Sequence, residues 1–82
     1  MKNIKVLLIM SCYLKDGDIP YGIGELSNLQ ELKLRFNKFS RLDFNFSQLT
    51  RLKSLDVSCC DNLLELPELP STLAIFTAYQ CS

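Results

Sequence analysis

One nine-residue frame recurs four times along the chain, as Ile4-Lys-Val-Leu7-Leu-Ile9-Met-Ser-Cys12, Leu29-Gln-Glu-Leu32-Lys-Leu34-Arg-Phe-Asn37, Leu52-Lys-Ser-Leu55-Asp-Val57-Ser-Cys-Cys60 and Leu73-Ala-Ile-Phe76-Thr-Ala78-Tyr-Gln-Cys81. Each copy carries apolar residues at its first, fourth and sixth positions and Asn or Cys at its ninth. The fourth and sixth positions are two apart, which is the spacing of one face of a β-strand. Leu7 and Ile9, Leu32 and Leu34, Leu55 and Val57, and Phe76 and Ala78 are therefore predicted to point inward. The frames begin at 4, 29, 52 and 73, so the period contracts from 25 to 23 to 21 residues. Such gaps are too wide for a hairpin loop and suit a return path that brings the chain back parallel to its last strand.

This period, apolar spacing and terminal Asn/Cys are the signature of the leucine-rich repeat. The expected fold is an α/β-type leucine-rich-repeat solenoid, with about four short parallel strands on the concave face and irregular or 3₁₀ return segments. Residues 1–82 read as one repeat segment whose last repeat is incomplete. Ile19-Pro20-x-x-Ile23-x-x-Leu26-x-x-Leu29 and Leu42-Asp43-x-x-Phe46-x-x-Leu49-x-x-Leu52 share one spacing, which turns an apolar residue toward the core at each tight step. In Leu66-Pro67-Glu-Leu69-Pro70 the two prolines deny a regular helix and favour an extended arc. Neither end carries a capping sequence, so the expectation is an uncapped fragment of a longer array.

Nine basic and nine acidic residues cancel, so no field steers the chain toward nucleic acid. No apolar run is long enough for a membrane span. Val6-Leu-Leu-Ile-Met10 follows two lysines, but it is shorter than a secretory core and lies in register with the later frames. Cys12, Cys60 and Cys81 occupy the ninth position, while Cys59 is adjacent to Cys60 and points to the other face of an extended chain. Without paired short spacings or histidine these cysteines make no metal site, and they fit a reducing compartment.

The absence of histidine removes Ser-His and Cys-His pairs. Gly22-Ile-Gly24 lacks the third glycine of a dinucleotide fingerprint and reads as return-path loop. Asp16 and Asp18 read as turn chemistry, and Asn45-Phe-Ser47 as a chance sequon. No catalytic, cofactor-binding or metal-binding residue is assigned, and no enzyme is expected. The remaining candidates form outward columns across the sheet: Val6, Glu31, Ser54, Ile75; Leu8, Lys33, Asp56, Thr77; Met10, Arg35, Ser58, Tyr79; and Ser11, Phe36, Cys59, Gln80. Glu31, Lys33, Arg35, Phe36, Asp56 and Tyr79 are the candidate protein-binding residues, with Phe36 and Tyr79 as apolar anchors and the charges setting partner choice. Lys33 and Asp56, in one column on adjacent strands, are expected to form an exposed ion pair.

Ile19-Pro20-x-x-Ile23-Gly24-x-Leu26-x-x-Leu29 resembles the plant-type leucine-rich repeat. Leu52-Lys-Ser-Leu55-Asp-Val57-Ser-Cys-Cys60-x-Asn62-Leu63, with Leu66-Pro67-Glu-Leu69-Pro70-Ser and Ala78-x-x-Cys81, is more specific. It is similar to the last repeats of intracellular plant disease-resistance proteins of the Toll/interleukin-receptor, nucleotide-binding, leucine-rich-repeat class. Asp43 stands where that pattern has proline, and Phe46 where it has isoleucine. The resemblance implies a cytoplasmic or nucleo-cytoplasmic sensor segment that binds a pathogen effector or guarded host protein and holds the receptor inactive through its other domains. The signalling and nucleotide-binding motifs of that class are absent from these residues, so neither activity is carried over. Two alternatives stand beside it: a fragment of an extracellular plant receptor ectodomain binding a peptide or protein, and a truncated product with no independent function.

Overall fold

The computed structural model describes residues 3–10, 21–42 and 45–79. Ile19, Pro20, Asp43, the cysteines at 12 and 81, and the outward positions Ser11 and Gln80 lie outside them. Four three-residue strands form one sheet: β1 (Val6–Leu8), β2 (Glu31–Lys33), β3 (Ser54–Asp56) and β4 (Ile75–Thr77). Their spatial order is β1-β2-β3-β4, and each adjacent pair is parallel. Among the described residues there is no α-helix; one 3₁₀ segment spans Tyr21–Glu25.

The register is that of the frame. Leu7 pairs with Leu32, Leu32 with Leu55 and Leu55 with Phe76, while Lys33 lies opposite Asp56. One hydrogen-bond unit is used three times. The N–H groups of Gln30 and Glu31 donate to Lys5 O, those of Lys53 and Ser54 to Gln30 O, and those of Ala74 and Ile75 to Lys53 O. Past the strands, Ile9 N–H donates to Lys33 O at 2.9 Å, Leu34 N–H to Asp56 O at 2.7 Å and Val57 N–H to Thr77 O at 2.8 Å. The recurrent ladder leaves few strand polar groups unpaired, which a buried backbone requires.

Apolar positions of the return paths close the core with a second repeated bond. Leu26 N–H donates to Ile23 O, Leu29 to Leu26, Leu49 to Phe46, Leu52 to Leu49 and Leu73 to Pro70, each a three-residue step. That step is the 3₁₀ geometry, and it turns every third side chain inward. Leu29, Leu32, Leu34, Leu49, Leu52 and Leu55 have no solvent exposure. Each such burial stabilises by about 1.5–3 kcal/mol before chain entropy is counted. Phe39, equally buried, joins the same core cluster from the segment after β2. The predicted inward pair of the last frame is not realised: Phe76 remains 42% exposed and Ala78 is exposed as well, on the edge strand of the sheet.

Candidate functional site

The outward columns leave the sheet on the side opposite this core, but burial divides them. Glu31, Phe36 and Tyr79 are exposed, and Lys33 and Arg35 are half-buried. Asp56, Ser58 and Cys59, placed on the outward columns by alternation, are buried. For Asp56 the cause is local. Its Oδ1 accepts the Ser58 N–H at 2.9 Å, folding the carboxylate back over the strand exit. Its Oδ2 lies 3.5 Å from Arg35 Nε, the one ion pair among the described residues.

This corrects the expected Lys33–Asp56 pair. The two residues do lie opposite each other, yet the carboxylate pairs with Arg35, two residues beyond Lys33 and just past the end of β2. Arg35 also stacks its guanidinium over the Phe36 ring, 5.8 Å from the centroid. Arg35, Phe36 and Asp56 thus form one connected group, with the aromatic ring at the solvent side.

Phe36 and Cys59 share a backbone device. Both have positive φ, 61° and 60°, in the left-handed region that non-glycine residues seldom occupy. At each, the N–H reaches the next repeat: Phe36 to Ser58 O at 3.2 Å and Cys59 to Tyr79 O at 2.7 Å. The bend ends the alternation assumed in drawing the fourth column, and Phe36 emerges exposed while Cys59 turns in. Cys59 is disulfide-bonded. No spacing among the four cysteines anticipated that bond.

Behind the bend, the ninth frame position tethers one repeat to the last. Asn37 Nδ2 donates to Ile9 O at 2.8 Å and Leu34 O at 3.0 Å. One repeat on, the Cys60 thiol donates to Leu34 O at 3.0 Å. Asn and Cys do the same work because each places a small donor where a carbonyl leaves the preceding strand. Burial pushes the Cys60 thiol above its ordinary pKa, with Asp56 and Asp61 adding to the rise against backbone hydrogen bonds at Asn37 and Phe36.

On the return-path side a groove of about 400 Å³ opens between the second and third arcs, bordered by Asn45, Phe46, Thr50, Glu68 and Pro70. Asn45 Oδ1 accepts the Ser47 N–H at 2.8 Å, so the formal sequon is a local turn. Gly22 and Gly24 belong to the 3₁₀ segment. Among the described residues no three acidic or cysteine side chains gather as a metal cluster, and no helix is long and apolar enough to cross a membrane.

No family model matches the chain, and no solved structure matches it. Curated proteins do. The chain is 41% identical over 73 residues to the TMV resistance protein N of Nicotiana glutinosa, an alignment covering 89% of this chain and 6% of that protein. It is 41% identical over 63 residues to the disease resistance-like protein DSC1 of Arabidopsis thaliana, covering 77% of this chain and 5% of that protein. With the disease resistance protein RPS4 of the same plant the identity is 36% over 86 residues, 98% of this chain and 7% of that one. The chain is thus homologous, nearly end to end, to a short stretch of plant disease-resistance proteins.

Proposed function

We propose that this chain is a leucine-rich-repeat solenoid segment serving as a non-enzymatic protein-recognition module of a plant immune receptor. It senses a pathogen effector or a guarded host protein and contributes to autoinhibition by contacting other domains of the receptor, in the cytoplasm. The observation that carries this reading is the outward face: Glu31, Lys33, Arg35, Phe36 and Tyr79 stand on a sheet whose opposite face is fixed by buried leucines. Residues on such a face can change without disturbing the ladder, as partner choice requires. Exposed aromatic groups and arginine, here Phe36, Tyr79 and Arg35, are the residue types that recognition surfaces are enriched in. Asp56 takes a positioning part, holding Arg35 through its buried carboxylate. The resistance naming of the relatives supports the immune setting.

The test rebuilds Phe36→Ala, Tyr79→Ala and Lys33→Glu in a full-length receptor carrying this segment. Effector-triggered cell death and protein abundance are measured together. The expected outcome is lost recognition or lost resting-state inhibition at normal abundance. Intact signalling in all three variants, with loss from changes at Asn45 or Glu68 instead, would place the surface on the return-path side.

A second reading, an extracellular receptor ectodomain fragment, draws on the disulfide at Cys59, since such bonds persist in oxidising compartments. Thiol counting on protein recovered from the plant under alkylating conditions separates the two. Reduced Cys59 favours the cytoplasmic reading.

A further inference from the structure

We propose that the outward face of β2 takes an acidic loop of the partner protein, with an Asp or Glu carboxylate seated on Lys33 and Arg35 and an apolar neighbour against Phe36. This rests on the recognition reading and names the partner chemistry that the face selects. β2 is an inner strand with β1 and β3 paired on either side, so this part of the face is complete within the chain. Leu32 and Leu34 have no exposure, so Glu31, Lys33 and Arg35 emerge on the opposite side. Across the sheet from Glu31 stand Val6 and Ser54, and across from Lys33 stand Leu8 and Asp56. Asp56 is therefore the only charge that the two neighbouring strands bring to these cations. It is buried, with one oxygen on the Ser58 N–H and the other 3.5 Å from Arg35 Nε.

That pair leaves most of the donors unengaged. Arg35 Nε is buried and makes no hydrogen bond, and among the described residues neither Nη group nor the Lys33 ammonium has a partner. A guanidinium carries five N–H donors in a planar fork, and a carboxylate matches two of them at once. Asp56 orients the fork from its buried side, and the Phe36 ring lies against the guanidinium, 5.8 Å to the centroid. Arg35 so held loses little side-chain freedom on binding. Phe36 is fixed in turn by its left-handed backbone and its N–H bond to Ser58 O, and its ring stays 45% exposed for an apolar contact. Lys33 and Arg35 against Asp56 leave one net positive charge at the strand exit. A single carboxylate balances it, whereas a dianionic phosphate would overshoot beside the buried Asp56. Glu31, exposed at the strand entry, repels a second acid there and so sets which way the loop runs.

The probe is a random-peptide display library selected against the 82-residue chain, with circular dichroism verifying the fold of wild type and variants. Enriched peptides should carry Asp or Glu beside an aliphatic or aromatic residue. Binding of one such synthetic peptide should weaken about tenfold with Lys33→Gln, and about as much with Arg35→Lys, which keeps the charge and loses the fork. Both variants leave a cation beside the buried Asp56, so neither strands its carboxylate. Selection against Lys33→Glu should turn the consensus toward Lys or Arg. A consensus without acid whose binding is still lost in Phe36→Ala overturns this proposal and leaves the recognition reading standing. Peptides indifferent to Lys33, Arg35 and Phe36 alike overturn both. Tighter binding when phosphoserine replaces the acid overturns the carboxylate assignment, and a folded chain that enriches no peptide overturns the proposal outright.

Discussion

Asn37 donates from one amide nitrogen to Ile9 O, Leu34 O and, at 3.3 Å, Arg35 O, so its removal takes a donor from carbonyls of two repeats at once, of which Leu34 O alone keeps the Cys60 thiol. Asn37→Ala should lower stability by about 1–3 kcal/mol, the cost of leaving buried polar groups without a partner. Asn37→Cys should lose less, since Cys60 fills the equivalent slot with a thiol; equal losses in urea titrations would deny that equivalence. Cys60 also gives stability a pH dependence. Its folded thiol holds its proton to higher pH than the unfolded one, because burial disfavours the thiolate. The contribution is fully present below the ordinary value of 9.0 and is lost as pH rises through the folded value. Wild type should therefore weaken more steeply above pH 9.0 than Cys60→Ala, and parallel urea midpoints for the two across that range would refute the assignment.

Between elements, the 3₁₀ segment closely approaches the following return path at Gly24. A Cβ on Gly24 would lie 2.8 Å from Asn45 O, a backbone atom that cannot swing aside, while Gly22 has open space around it. Gly24→Ala should cost about 1–3 kcal/mol as overpacking, and Gly22→Ala should be nearly neutral; thermal melts of the pair decide it. The strands and their register were legible in the sequence because one apolar spacing occurs in all four frames, and averaging over copies suppresses local noise. The 3₁₀ steps were legible for the same reason. The fates of Asp56, Ser58 and Cys59 were not. Alternation assigns every second residue to solvent, but the left-handed bend at Phe36 and Cys59 breaks the alternation three residues past the strand ends. An Asp side chain that caps its own strand exit is indistinguishable, in a linear pattern, from one reaching into solvent. Phe39 lies outside the shared frame, so the repeat does not mark it as core; its size and place two residues after the Asn slot are the signal the sequence carries for it.

Across the whole molecule the core is uneven. Buried side chains concentrate between β2 and β3, and the outer strands keep Leu7, Ile9 and Phe76 only partly covered. A chain of this size buries about 60–65% of its unfolded surface, which leaves a thin margin. Thermal unfolding should be broad and weakly cooperative, and a sharp two-state melt from a monomer would count against so uneven a core. Leu55→Ala, at a site with no exposure, should cost about 2–5 kcal/mol.

Strand contacts run only between neighbours: β1 with β2, β2 with β3, β3 with β4. Each strand therefore hears from two others at most, and the sheet transmits in series. A disturbance at Val6 has no route through the sheet to Tyr79 except by way of β2 and β3, where Leu32 and Leu55 stand back to back. A strain introduced at one end of the sheet therefore has to pass through the packing of those two leucines to reach the other, which makes the interior, not the surface, the place where the two ends are joined.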